Sequence, residues 1–252
     1  MDRNYYESSE LLGQYCLFHY GNVDQTIGEF PVPAEACNYP RRLLERLLQP
    51  TIIPSGFSRV LDAGCAVGGI SFLLSAYFDE VVGVDVSRSF IDAAKELAAH
   101  REHRVKIRVE GNRYVDFVAT LPTEARPERV RFLVADVCSL PSELGKFHAL
   151  VASNLVCRLP QPRRFLKKAA ELLCVGGQLL LATPFSWMEE FTSEKEWIGG
   201  TEHTGASKEA LEVELSKDFI KDKSIEIPFL IREHSRKFQY VVAYGSRWIR
   251  KS

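Results

Sequence analysis

The chain has 252 residues, 46% hydrophobic and 26% charged, enough for one sizeable α/β domain with a filled core. A formal net charge of -1 offers no basic field for a nucleic-acid backbone, which leaves a small molecule as the expected partner. No apolar run reaches the length of a membrane span and Met1 to Glu7 lack the apolar core of a signal peptide, so a cytoplasmic monomer or homodimer is expected.

From Tyr5 to Tyr39 aromatics, glycine and proline mix without a sustained period, predicting a short helix and a loop ahead of the first strand. Leu43, Leu44, Leu47 and Leu48 then give Pro40 to Leu48 one apolar stripe, an amphipathic helix with proline in its first turn. The stretch Arg59 to Gly69, R-V-L-D-A-G-C-A-V-G-G, reads as strand, glycine loop and the start of a helix from Ile70 to Tyr77. Such a unit aims loop N–H groups into open space at the carboxyl edge of a sheet. Two further runs also close on an acid, Val81 to Asp85 and Arg131 to Asp136. Three strands each ending in aspartate make a nucleoside site, in which Asp85 is placed to accept hydrogen bonds from ribose hydroxyls.

Ser87 is the expected cap of a helix from Phe90 to His100. Val105 to Val109, the turn Gly111-Asn112 and Tyr114 to Val118 predict a β-hairpin inserted before the Phe132 strand; its basic cluster is either a wet face or a dock for an anionic partner. Leu150 to Asn154 is the fourth sheet strand. Pro162 opens a helix through Leu173, Gly176-Gly177 stop it, and Gln178 to Thr183 form the fifth strand. After a cluster of aromatics and acids from Phe185 to Phe191 come a glycine-containing loop through Gly205 and a helix from Lys208 to Leu215. Ser224 to Glu233 and Lys237 to Trp248 then read as an antiparallel pair closing a seven-stranded sheet. The six cysteines (Cys16, Cys37, Cys65, Cys138, Cys157, Cys174) form no C-x-x-C pair and read as free thiols, and the six histidines show no metal spacing, so no metal is expected.

A dinucleotide loop needs glycine where this chain has Ala66, which argues against a nicotinamide dehydrogenase. S-adenosylmethionine carries no phosphate but does carry a sulfonium and an amino-acid tail, which suit Asp62. The order D-A-G-C-A-V-G, V-D-V-S, A-D-V-C resembles motif I and the next two acidic motifs of class I methyltransferases. Further segments, Y-C-L-F-H-Y-G (Tyr15 to Gly21), N-L-V-C-R-L-P (Asn154 to Pro160), W-M-E-E-F (Trp187 to Phe191) and F-L-I-R-E (Phe229 to Glu233), resemble the 4-mercaptohistidine N1-methyltransferases. That family is similar to the carboxy-terminal domain of the bifunctional ovothiol-biosynthesis enzymes.

The resemblance implies a Rossmann-like α/β fold with helices on both faces of a mostly parallel sheet. It also implies a single methyltransferase domain: an arm over the cleft (1–40), a cofactor core (41–183), and a substrate segment with the closing hairpin (184–252). The expected reaction moves a methyl group from S-adenosylmethionine to a ring nitrogen of 5-thiohistidine, leaving S-adenosylhomocysteine. Asp62, Ala63, Gly64, Cys65, Gly68, Asp85, Val86, Asp136, Val137 and Asn154 are the cofactor candidates. Arg42 either meets the cofactor carboxylate or stays solvated. Asn154, His19, Tyr20 and Tyr39 are the catalytic candidates, Asn154 either placing its amide near the transferred methyl or serving as a turn residue that caps a helix, the last three either holding the acceptor sulfur away from the methyl or packing the arm. Phe185, Trp187, Glu189 or Glu190, Arg232 and Arg236 are placed on the acceptor, with surface ion pairs the other reading of the two arginines. A different small amine acceptor, or a binding module without catalysis, would share the same cofactor residues.

Overall fold

The computed structural model describes residues 5–252; Met1 to Asn4, part of the stretch read for a signal peptide, lie outside them. The arm begins with a 3-10 turn (Tyr5–Glu7) and continues as α1 (Ser9–Tyr20) and α2 (Val23–Ile27), followed by α3 (Tyr39–Leu47). The core then runs β1 (Arg59–Ala63), α4 (Gly69–Leu74), β2 (Glu80–Asp85), α5 (Arg88–His100), β3 (Glu102–Glu110), β4 (Arg113–Thr120), β5 (Val130–Val134), β6 (Phe147–Ser153), α6 (Pro162–Leu172) and β7 (Leu173–Thr183). It ends with α7 (Ser207–Ser216), β8 (Phe219–His234) and β9 (Lys237–Arg250).

Seven strands form one sheet in the order β5-β2-β1-β6-β7-β9-β8, parallel up to β7 and antiparallel at β9 and β8. Alternation along the strands sends residues to two cores. Leu61, Leu150, Leu179 and Leu181 pack with α6 and α7, while Val60, Val151, Leu180 and Ala182 pack with α3 and α4. The chain crosses over between β1 and β6, so the carboxyl ends of β1, β2, β5, β6 and β7 share one edge with a crevice at the switch point. Among the described residues no helix is long and apolar enough to cross a membrane.

Three additions rise above that edge. The hairpin β3–β4 forms its own two-stranded sheet, turning at Gly111 as the sequence leads one to expect. β8 and β9 outrun β7, whose last residue Thr183 pairs with Tyr244, so residues 227–243 overhang the edge. α1 lies between them, close enough to β3 that a Cβ on Gly13 would overlap the Lys106 carbonyl. The tip of the β8–β9 overhang is tied to β3 by Ser235, whose N–H (3.0 Å) and Oγ (2.7 Å) both donate to the Val109 carbonyl.

Two expectations are corrected. Helix α4 stops at Leu74 rather than Tyr77, where the Ser75 hydroxyl turns back onto the Phe72 carbonyl. Gly176 and Gly177 do not stop a helix: α6 already ends at Leu172, and both lie in the irregular start of β7, where the register against β6 shifts. The arm also holds more helix than its sequence suggests. Its apolar residues serve two cores, Leu17 and Cys16 against β3–β4 and α5, Phe18 against Tyr39 and Phe229, so no single stripe emerges.

Candidate functional site

At the end of β1 the loop turns back on β2: the N–H groups of Gly64 and Cys65 both donate to the Val84 carbonyl, at 2.8 and 3.0 Å. Gly64 has φ +72°, and a Cβ there would press on Leu155, so the loop lies directly against the residue after Asn154. Ala66 takes up φ +47°, a left-handed conformation costly for a residue with a Cβ. Its N–H donates to Asp85 Oδ2 at 2.9 Å, while Asp85 Oδ1 accepts from Ser87 N–H at 2.9 Å. Burial raises the Asp85 carboxyl above its usual range, against the backbone N–H groups of Ser87, Ala66 and Val86 that lower it. The carboxylate keeps acceptor capacity for a hydroxyl donor.

Asp62 is almost fully enclosed. Oδ2 accepts from the Ser71 hydroxyl at 2.6 Å, but Oδ1 is buried with no partner among the described residues, and burial pushes the carboxyl up to about 7. An orphaned carboxylate oxygen beneath a loop whose own N–H groups are already engaged fits a cationic ligand tail. Val86, half exposed although apolar, offers a flat contact beside Asp85, and Asp136 is exposed, its Oδ1 accepting from Cys138 N–H at 2.8 Å. Ala63 and Cys65 are buried supports of the loop, and the Val137 side chain belongs to the core, leaving its backbone to face a ligand. The residues present therefore suit S-adenosylmethionine: Asp62 for the amino-acid tail, Asp85 for the ribose, Val86 and Asp136 for the base.

Next to the loop, Asn154 ends β6 with φ +54° and its N–H on the Ala182 carbonyl at 2.8 Å. Its Oδ1 faces the buried Tyr39 hydroxyl at 3.4 Å, and Ser153 Oγ donates to that hydroxyl at 3.2 Å. Burial raises the Tyr39 phenol further above its ordinary value. Phe185, after β7, also has positive φ, +53°, and stacks on Tyr244 with ring centroids 6.0 Å apart. Strained residues gathering at one sheet edge mark it as a working site.

Several expected site residues go elsewhere. His19 Nδ1 accepts from Gly69 N–H at 3.1 Å, and the Tyr20 hydroxyl donates to the Val67 carbonyl at 2.7 Å, so both grip the glycine loop from α1 rather than face an acceptor. Burial takes the His19 imidazole down to about 3, which keeps it neutral and unable to shuttle protons. Arg42 is not at the cofactor: it donates to the Cys37 carbonyl at 2.8 Å and to that of Pro228, fastening α3 to β8. The Trp187 indole turns to α7, donating to Ser207 Oγ at 2.9 Å and stacking on Trp197. Glu189 and Glu190 are exposed. Arg232 donates to the Gln25 carbonyl at 2.8 Å, and Arg236 lies over the Phe30 ring. Arg232 pairs with Phe238, six residues along β9 from Tyr244, which sets it about 20 Å along the strand from the sheet edge. An amino acid with its ring at Asn154 does not span that gap, so both arginines belong to the cap.

The arm adds residues that the sequence did not single out. Glu7 accepts from the N–H groups of Arg88 (2.9 Å) and Ser89 (3.1 Å) at the start of α5, beside Asp85, and the Tyr6 carbonyl accepts from the Ser87 and Ser89 hydroxyls. The Tyr6 ring packs between Phe90 on the cofactor side and Phe191 on the far side of the cleft.

Residues 61–181 match the methyltransferase domain family, which takes in the loop, Asp85, Asp136 and Asn154. The core of the chain is similar to that family, and the cofactor of the site is S-adenosylmethionine. Over 124 residues this chain is 27% identical to a ubiquinone biosynthesis O-methyltransferase of Coxiella burnetii, 49% of this chain and 42% of that protein. The matched part is thus less than half of that relative's length. The fold resembles that of the N-methyltransferase NodS from Bradyrhizobium japonicum in complex with S-adenosylhomocysteine, with a TM-score of 0.54 and 13% identity over 93% of this chain and all of that one. It also resembles magnesium protoporphyrin IX methyltransferase from Synechocystis with bound S-adenosylmethionine, at a TM-score of 0.54 and 14% identity over 97% and 98% of the two chains.

The placement of His19 leads to a prediction. His19→Ala removes the acceptor for Gly69 N–H and leaves a buried donor unsatisfied, a loss of about 1–3 kcal/mol that lowers Tm by several degrees and weakens cofactor binding. The pH profile of turnover above about pH 5 keeps its shape, because an imidazole held near 3 does not titrate there. A limb lost from that profile in the variant would restore His19 as a proton carrier.

Proposed function

We propose that the chain is an enzyme, one methyltransferase domain transferring a methyl group from S-adenosylmethionine to an imidazole ring nitrogen of 5-thiohistidine (4-mercaptohistidine), the methylation step of ovothiol formation. The observation that carries the catalytic part is the unpartnered Asp62 oxygen set beside the Tyr39-oriented Asn154 amide at one sheet edge. The acceptor rests on the resemblance of the Trp187–Phe191 and Phe229–Glu233 segments. Bound S-adenosylmethionine supplies an electrophilic methyl on a sulfonium. A ring nitrogen brings its own lone pair, so the protein's task is alignment and exclusion of water more than proton removal. Tyr39 acts through Asn154: its hydroxyl donates to Oδ1, which leaves the amide NH2 as the group turned to the cleft. A donor of that kind holds the acceptor's thiolate by hydrogen bonding and turns the nitrogen toward the methyl.

A second reading, favoured by the O-methyltransferase relative, keeps the cofactor site and gives it a hydroxyl-bearing small molecule. Incubation with methyl-labelled cofactor and 5-thiohistidine, beside histidine and a phenol, followed by mass-spectrometric location of the label, decides between them. Label on the ring nitrogen is the expected result. Label on sulfur, or only on the phenol, removes the proposed reaction.

A further inference from the structure

The turn after β6 holds a cation with no role so far. Arg158 ends the 3-10 turn Val156–Arg158, four residues beyond Asn154. Its Nη1 donates to the carbonyls of Cys157, at 3.1 Å, and Ser186, and its guanidinium carbon lies 5.1 Å from the centre of the Phe191 ring. Phe191 in turn meets Tyr6 of the arm at 6.0 Å. The guanidinium is thus fixed where the exit of β6, the segment after β7 and the arm come together, which are three walls of the acceptor side. Its contacts among the described residues are two carbonyls, a sulfur and an aromatic ring, none of them anionic. Among the described residues only Nη1 is engaged in hydrogen bonds. The edge formed by Nε and Nη2 is free to present two parallel N–H groups, the geometry that matches a carboxylate. A flexible ammonium would not hold that plane, whereas the aromatic ring beneath and the Ser186 carbonyl at the side fix this one.

We propose that Arg158 binds a carboxylate of the methyl acceptor and thereby selects amino acids over the corresponding amines. This rests on the small-molecule methyltransferase reading above and gives the site the anion partner that Arg232 and Arg236 lie too far away to supply. Removing a carboxylate from water without such a partner is unfavourable enough to exclude it from a site beside the Phe191 and Tyr6 rings.

The test separates this role from simple stapling of Ser186. Calorimetry on the protein loaded with S-adenosylhomocysteine, where no turnover occurs, compares 5-thiohistidine with its decarboxylated counterpart, and histidine with histamine. The parent protein is expected to prefer the carboxylate member of each pair, and Arg158→Gln to lose about tenfold or more on that member alone. Arg158→Lys keeps the charge without the fork and falls between. Affinity for S-adenosylhomocysteine stays as in the parent. An equal loss on both members of a pair, or no carboxylate preference in the parent, overturns the proposal. A carboxylate preference that vanishes in Arg158→Gln, in a protein that methylates no imidazole, keeps the subsite and overturns the 5-thiohistidine assignment instead.

Discussion

Asp85→Ala is expected to weaken S-adenosylmethionine binding by roughly 100- to 10,000-fold in calorimetry. Two charge-assisted hydrogen bonds to ribose hydroxyls are lost at about 1.5–3 kcal/mol each, and each 1.4 kcal/mol is about tenfold. The structure adds a second source of loss. Asp85 also holds Ala66 N–H, and Ala66 sits in a left-handed conformation that a free loop would relax. Asp85→Asn is expected to be nearly as damaging, because an amide can accept from only one of the Ala66 and Ser87 N–H groups. Asp136→Ala removes an exposed acid that has one oxygen on Cys138 N–H, and its effect on affinity is the smaller of the two acids. Affinity within twofold of the parent in Asp85→Ala would take Asp85 out of the ribose role, and a larger effect at Asp136 would exchange the two assignments.

What the sequence made legible follows from the range of the forces involved. Strand ends, the β3–β4 turn and the stripe of α3 are set by residues a few places apart, and the acids closing β1 and β2 and following β5 fall at the edge that their spacing leads one to expect. The destinations of long side chains depend on partners far away in the chain. Arg42 reaches a carbonyl 186 residues on, and Arg232 one 207 residues back, and no local pattern encodes either bond. Trp187 is drawn to α7 because a half-buried indole N–H needs an acceptor, and Ser207 supplies it. His19 illustrates the same limit. An imidazole in an aromatic arm reads as a chemical group, but only the fold shows that its lone pair belongs to Gly69. Arg158 lies within the N-L-V-C-R-L-P segment, but the segment alone assigns it no role, because its place is set by Ser186 and Phe191 about 30 residues on.

Cofactor binding should expel a proton from Asp62. With one oxygen buried and unpartnered and the carboxyl raised to about 7, Asp62 is largely protonated at mildly acidic pH without ligand. The cationic tail of the cofactor, docked against it, favours the carboxylate, so close to one proton is released per ligand at about pH 6 and little at about pH 8.5. The sign for the free protein follows from the same shift. An acid whose folded value lies above its unfolded one stabilises fully below about 3.8, and that contribution is lost as pH rises through about 7. Raising the pH across that window therefore weakens the free protein through this group, while the same change strengthens cofactor binding, so the rise in Tm given by S-adenosylhomocysteine grows from about pH 5 to 8. Asp62→Asn keeps the shape and an acceptor for Ser71 but has no proton to lose. In that variant the Tm rise is smaller, and the Asp62 share of the proton release, read by calorimetry in buffers of different ionisation enthalpy, disappears. Proton release undiminished in Asp62→Asn would move the linkage to Asp85, whose carboxyl is also raised by burial, and would leave the buried Asp62 oxygen without a ligand to explain it.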